Sequence, residues 1–160
     1  MRILGIDPAL HITGYGVIDI NQRAISLVEA GIVMTQARQP LPERLKKIFL
    51  SMQKLIQDTQ PKIVVLEKLY AHYRHPTTAF LLGQARGVIC LVCAQQQVPL
   101  VEYAATRVKK AIVGKGLAPK GQVQRVVARM LGLKTIPQYN DITDALALAI
   151  AHAHALKAYR

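Results

Sequence analysis

Apolar residues follow two rhythms along this chain. Short unbroken runs at Ile3-Leu4-Gly5-Ile6 and Ile63-Val64-Val65-Leu66 each end on one carboxylate, Asp7 and Glu67, as buried strands do when they deliver an acid to a sheet rim. Thr13 to Ile20 and Ala24 to Met34 read as two further strands joined by a turn at Asn21-Gln22-Arg23, so the chain opens as a three-strand antiparallel meander. From Pro42 the rhythm changes: Leu45, Ile48, Phe49, Met52, Leu55 and Ile56 recur at three- and four-residue spacing. That is an amphipathic helix with proline at its first position, stopped by Pro61. After the strand at Ile63, a polar stretch from Lys68 to Pro76 leads into a long helical segment from about Thr77 to Gln96. Leu100 to Tyr103 is a last short strand, followed by helical stretches around Thr106 to Val113 and Gly121 to Leu131 and by a C-terminal helix from about Asp141.

Antiparallel strands followed by strands alternating with helices predict an α/β fold, a mixed five-stranded sheet flanked by helices. If the strand at Ile63 runs parallel to the first, Asp7 and Glu67 emerge at one edge, where open α/β sheets place their sites. No repeat, low-complexity tract or linker interrupts residues 1–160, which read as a single domain. Gly87 to Ala94 is too short an apolar run to cross a bilayer, and no charged, apolar and small-residue succession marks a signal peptide. The expectation is a cytoplasmic protein with no membrane partner. Cys90 and Cys93 lie in that apolar run without a second pair to complete a zinc site, and are expected to be packed core thiols.

Charge sharpens the picture. Lys and Arg number 21 against nine Asp and Glu, a formal net charge of +12, which favours a phosphate-rich partner. Four of the nine acids are Asp7, Glu67, Asp141 and Asp144; the last two stand at i and i+3 before Ala145-Leu146-Ala147-Leu148-Ala149-Ile150, on one helix face. Singly, Asp7 before Pro8 could start a turn, Glu67 could be a solvated strand end, and Asp141 with Asp144 could complement a helix dipole. Together they are what two hard divalent cations require, since Mg²⁺ takes oxygen ligands and keeps water and substrate phosphate in its shell.

The motifs Gly5-Ile6-Asp7-Pro8, Thr13-Gly14-Tyr15-Gly16, Glu67, Leu82-Gly83-Gln84-Ala85-Arg86-Gly87, Glu102-Tyr103-Ala104 and Asp141-Ile142-Thr143-Asp144-Ala145, in this order and spacing, resemble the RuvC family of Holliday-junction resolvases from end to end. The resemblance implies a ribonuclease H-like fold, a two-fold homodimer, and Mg²⁺-dependent nicking of two strands of four-way junction DNA, with two ions per site and Mn²⁺ able to substitute. It places the family's catalytic, metal-holding acids on Asp7, Glu67, Asp141 and Asp144, and implies products with 5′-phosphate and 3′-hydroxyl ends. The family's junction wedge, an aromatic that stacks on a base, falls on Tyr70; tyrosine in place of the commoner phenylalanine keeps the flat face. Ala71-His72-Tyr73-Arg74-His75-Pro76 departs from the form of the best-known members, and Arg74 is taken there as a DNA contact. By family analogy the partners are the RuvA–RuvB branch-migration complex.

Between Tyr103 and Asn140 stand Arg107, Lys109, Lys110, Lys115, Lys120, Arg125, Arg129 and Lys134 without one acid, a phosphate-binding surface by charge alone. Lys109 and Lys120 align with family lysines near the scissile phosphate, and Lys115 is taken as a further DNA contact. His72 with His75, and His152 with His154, have metal-like spacings but no third ligand nearby. The first pair is expected to face DNA, the second to lie near the exposed end of the last helix. Rival readings are an actin-like or sugar-kinase ATP-binding domain, which needs two such units, a non-catalytic DNA-binding module, and another nuclease of the same superfold. A non-catalytic module would have little reason to keep four carboxylates close to phosphate without a cation.

Overall fold

The computed structural model describes residues 1–22, 24–69 and 76–158. Strands β1 (Arg2–Asp7), β2 (Ile12–Asn21) and β3 (Ala24–Met34) precede α1 (Leu41–Thr59), β4 (Ile63–Glu67), α2 (Pro76–Gln95), β5 (Leu100–Tyr103), α3 (Ala105–Val113), α4 (Lys120–Met130) and α5 (Asn140–Ala158). The five strands form one mixed sheet in the order β3-β2-β1-β4-β5. β1 to β3 pair antiparallel, while β4 is parallel to β1 and β5 parallel to β4. This is a ribonuclease H-like fold, and every element expected from hydrophobic spacing is present to within one or two residues. Pro42 is the second residue of α1, not the first, because the Pro40 carbonyl already accepts the first helical hydrogen bonds, from the Glu43 and Arg44 N–H groups.

Side chains alternate across the strands and build two cores. Ile3, Ile18 and Val65 face α3, α4 and α5, whereas Leu4, Ile6, Val17, Val64 and Leu66 face α1 and α2. The same alternation directs the acids. Asp7 stands two and four residues after Gly5 and Ile3, and Glu67 two after Val65, so both carboxylates leave the sheet on the α5 side.

α5 can reach that side because the floor beneath it is glycine. A β-carbon on Gly5 would overlap the Ala145 carbonyl, and one on Gly14 would overlap the Asp141 carbonyl. Gly14 is the cross-strand partner of Asp7, so the helix that carries Asp141 and Asp144 starts directly over the end of β1. The loop between β1 and β2 is tied down by Thr13, whose hydroxyl donates to the Ala9 carbonyl at 2.6 Å.

Three expectations need correction. His152 is buried, with Nδ1 2.8 Å from the Tyr103 hydroxyl, and His154 Nδ1 lies 3.0 Å from the Ala111 carbonyl. Both therefore face inward to β5 and α3, because α5 runs on to Ala158 instead of ending near them. Cys93 is a core thiol but Cys90 is exposed, since the inner stripe of α2 runs through Ala85, Ile89, Val92 and Cys93 and leaves Cys90 at its outer edge. Thr77–Gln95 of α2 is also long and apolar enough to cross a membrane by length and composition; counting only the unbroken run from Gly87 missed that Gln84 and Arg86 interrupt a longer apolar stretch. In the fold Ala85, Ile89, Val92 and Cys93 of this helix pack into the core against α1 and the sheet.

Candidate active site

Parallel pairing of β1 and β4 through Ile6↔Leu66 brings the next residues, Asp7 and Glu67, out at the same rim. α5 arrives there with Asp141 in its first turn. The four acids lie within one another's field. Asp7 is pushed up to about 7, first by burial and then by the negative charges of Asp144, Glu67 and Asp141, with Lys120 partly offsetting them. Glu67 is raised by burial and by Asp144, against the opposing pull of Lys120, Lys109 and Arg86. Such mutual repulsion in a partly desolvated pocket is what a bound cation relieves.

Two lysines close the other side. Lys120, the first residue of α4, donates from Nζ to Asp144 Oδ2 at 3.1 Å, and the ion pair raises the lysine's own pKa. Lys109 of α3 joins Lys120, Glu67 and Asp144 around a cavity of about 130 Å³. A second cavity of about 150 Å³ lies between Asp7, Pro8, Glu67, Leu69 and Leu82 of α2. Among the described residues, no three His, Cys, Asp or Glu side chains are gathered into a cluster that could hold an ion as they stand. The donor set nevertheless fits hard divalent cations: four carboxylates, already forced close enough to repel, with an ammonium group at present balancing one of them.

The remaining sequence expectations divide. Lys115 is exposed in the turn between α3 and α4, two residues before the 92%-exposed Leu117, and does not line the acid cavity. Arg107, Lys110, Arg125, Arg129 and Lys134 are also exposed, so the basic flank faces solvent, with Lys109 and Lys120 bordering the acid rim. Tyr70, Arg74, His72 and His75 lie outside the described residues. Sequence reasoning gave no role to Tyr103, whose ring lies 4.7 Å beneath the Arg107 guanidinium and whose hydroxyl meets His152. The signal was available: Tyr103 and Arg107 stand four residues apart at a strand-to-helix junction, and His152 follows Leu148 by four on α5.

Residues 3–152 match the family model for crossover junction endodeoxyribonuclease RuvC. The chain belongs to the RuvC family. It is 44% identical to the RuvC of Brevibacillus brevis over 153 residues, covering 96% of this chain and 92% of that protein. It is 43% identical to the RuvC of Rhodopirellula baltica over 148 residues, 92% of this chain and 83% of the other. Among solved structures, T. thermophilus RuvC in complex with Holliday junction substrate superposes with a TM-score of 0.90 at 28% identity, covering 99% of this chain and 96% of that one. Nucleases of the RuvC family are metal-dependent, and the acid rim is where the donor chemistry for a metal collects in this member.

Proposed function

We propose that this chain is a structure-selective endonuclease that resolves four-way DNA junctions by paired symmetric nicks, with Asp7, Glu67, Asp141 and Asp144 as its catalytic acids. The observation that carries the assignment of residues is the convergence of these acids from β1, β4 and α5 at one rim inside a basic surface. Two Mg²⁺ ions, or Mn²⁺ in their place, held by these carboxylates would activate a water and neutralise charge on the phosphate. Asp7, central in the sheet and within the field of all three other acids, would be the carboxylate best able to serve both ions. Lys109 and Lys120, on either side of the same cavity, neutralise non-bridging phosphate oxygens, and Lys120 must leave Asp144 to do so. Water adds to phosphorus, the bond from phosphorus to the 3′ oxygen breaks, and the 3′ oxygen takes up a proton. The products are a 5′-phosphate and a 3′-hydroxyl.

The exposed basic groups of α3, α4 and the turns beside them, Lys115 included, supply the phosphate contacts that hold the junction arms. Tyr70 is proposed as the wedge that stacks on a base at the crossover, and Arg74 as its neighbouring DNA contact. Two symmetric cuts need two active sites, hence a two-fold dimer. α2 provides a face for it: Phe80 is 73% exposed and Leu91 52% exposed, and the space above Gly83 and Gly87 is open, so that two helices can approach closely. A cytoplasmic location is proposed as in the sequence reading, and cooperation with the RuvA–RuvB complex by family analogy.

The test is cleavage of a synthetic four-way junction with Mg²⁺ against EDTA, for the native chain and for Asp7→Asn, Glu67→Gln, Asp141→Asn and Asp144→Asn. Each variant is expected to bind the junction and to lose Mg²⁺-dependent nicking. A variant that cleaves normally removes its residue from the catalytic set.

A further inference from the structure

Among the described residues, Arg86 is the one buried side chain that is permanently charged. Burying a guanidinium is costly unless its donors are all used, so the contacts it makes are informative. Nη1 donates to the main-chain carbonyl of Glu67 at 2.7 Å, and Nη2 pairs with the Glu102 carboxylate on β5. Glu67 is the last residue of β4, where the chain leaves the sheet. The amide of Lys68, on the far side of the same peptide, donates to the Tyr103 carbonyl at 2.8 Å. The peptide unit that follows Glu67 is thus gripped at both its carbonyl and its N–H, and the direction of the Glu67 side chain follows from that backbone.

Arg86 belongs to the segment Leu82-Gly83-Gln84-Ala85-Arg86-Gly87, whose residues divide between two faces of α2. Ala85 and Arg86 are buried, while Gly83, Gln84 and Gly87 face outward, on the side proposed above for the second copy. Leu82, a turn before Arg86 on the same helix, lines the cavity between Asp7 and Glu67.

We infer that Arg86 is a positioning residue: through the Glu67 carbonyl and the Glu102 carboxylate it sets the backbone that aims Glu67 into the acid rim, and it makes that aim depend on how α2 is seated. This rests on the reading of Glu67 as a metal-holding acid. Arg86 touches neither substrate nor metal. It acts as the outer partners of metal ligands do, by holding a ligand in one orientation.

The test uses the full chain with Arg86→Gln, Arg86→Lys and Glu102→Gln, and with Glu67→Gln as a reference. Four quantities are measured: thermal melting, junction affinity in EDTA, Mn²⁺ binding followed by electron paramagnetic resonance, and single-turnover cleavage across metal concentrations. For Arg86→Gln we expect junction affinity in EDTA to be unchanged and Mn²⁺ affinity to fall roughly 10–100-fold, with cleavage partly recovered at high metal. Arg86→Lys keeps a cation but cannot fork to both oxygens, so it should rescue Mn²⁺ affinity only in part. Glu102→Gln should shift it in the same direction by less. If Arg86→Gln does not fold, the other two variants decide the matter. The inference is overturned if Arg86→Lys and Glu102→Gln bind Mn²⁺ and cleave like the native chain, or if Arg86→Gln melts earlier with Mn²⁺ affinity unchanged. Normal Mn²⁺ binding by Glu67→Gln would instead sink the role of Glu67 itself, a distinct result.

Discussion

The two faces of the sheet are closed in opposite ways. On one, α5 rests so near β1 and β2 that only glycine fits at Gly5 and Gly14, and every residue from Ala145 to Ala153 is buried. On the other, α2 uses its inner side alone and leaves Phe80 and Leu91 in solvent, with empty space above Gly83 and Gly87. The glycines of the first face are filled in by contact within the chain; those of the second meet nothing within it. Under the proposed function, the contrast separates a contact that fixes chemistry from one that would join two copies. Carboxylates must be held to within a fraction of an ångström, so their helix is locked by backbone-to-backbone packing. A surface that meets a second copy is completed only on association.

The largest effect should come from substituting the glycine floor. Gly14→Ala is expected to cost about 3 kcal/mol of stability and to abolish cleavage, because the new methyl group must push the Asp141 backbone, and with it Asp141 and Asp144, away from Asp7. Gly83→Ala reverses the comparison: it meets nothing within the chain, so the fold should hold or gain up to about 1 kcal/mol from helix propensity. Any loss should appear only in self-association. Thermal melting beside sedimentation separates the two, and a Gly83→Ala chain destabilised as much as Gly14→Ala would break the contrast.

Next in size is the proposed dimer face. Leu91→Glu places a charge on the exposed stripe of α2 without touching the acids, and should yield a folded monomer that no longer makes paired cuts. Sedimentation of the free protein and the ratio of nicked to fully resolved junction measure this. A dimer that persists would move the interface to another surface.

A smaller effect should come from pH in the absence of metal. The folded pKa of Asp7, raised to about 7, lies above its unfolded value. The stability linked to this group is therefore complete below the unfolded pKa and is lost as pH rises through about 7. In EDTA the native chain should be less stable and melt at lower temperature at pH 8 than at pH 5, with at most roughly 3 kcal/mol of that loss coming from this residue. Asp7→Asn should remove most of that decline, and Mg²⁺ should restore stability at pH 8. Equal melting of the two chains at pH 8 in EDTA would mean that the burial and repulsion at Asp7 are relieved by other means.

The smallest expected change is in the salt dependence of junction binding. Lys109→Ala should reduce the logarithmic slope by roughly 0.9, one phosphate contact, and slow cleavage as well, since Lys109 borders the acid cavity. An unchanged slope would place Lys109 away from phosphate.

Much of this was legible beforehand, for identifiable reasons. Period-two and period-3.6 spacing located all ten elements, and runs such as Ile63-Val64-Val65-Leu66 marked buried strands because a strand covered on both faces has no polar position to spare. The acids stood out because only nine exist against 21 bases. Less visible was anything that depends on which side of an element meets what. His152 looked like a helix-end residue and proved to be buried against Tyr103. Cys90 looked like core and faces solvent. Arg86 was part of a recognisable segment, but its grip on Glu67 joins residues 19 apart.

The sequence by itself determined which residues could carry the chemistry and which strands and helices would present them, since hydrophobic periodicity and side-chain type are properties of short windows. The tertiary structure alone decided that Asp7, Glu67, Asp141 and Asp144 share one field, that Lys120 rests on Asp144, and that half of α2 is left uncovered. These follow from strand order and from the approach of α5 to a glycine floor. Such distances arise between segments far apart in the chain, where the closeness of two backbones depends on what both of them lack.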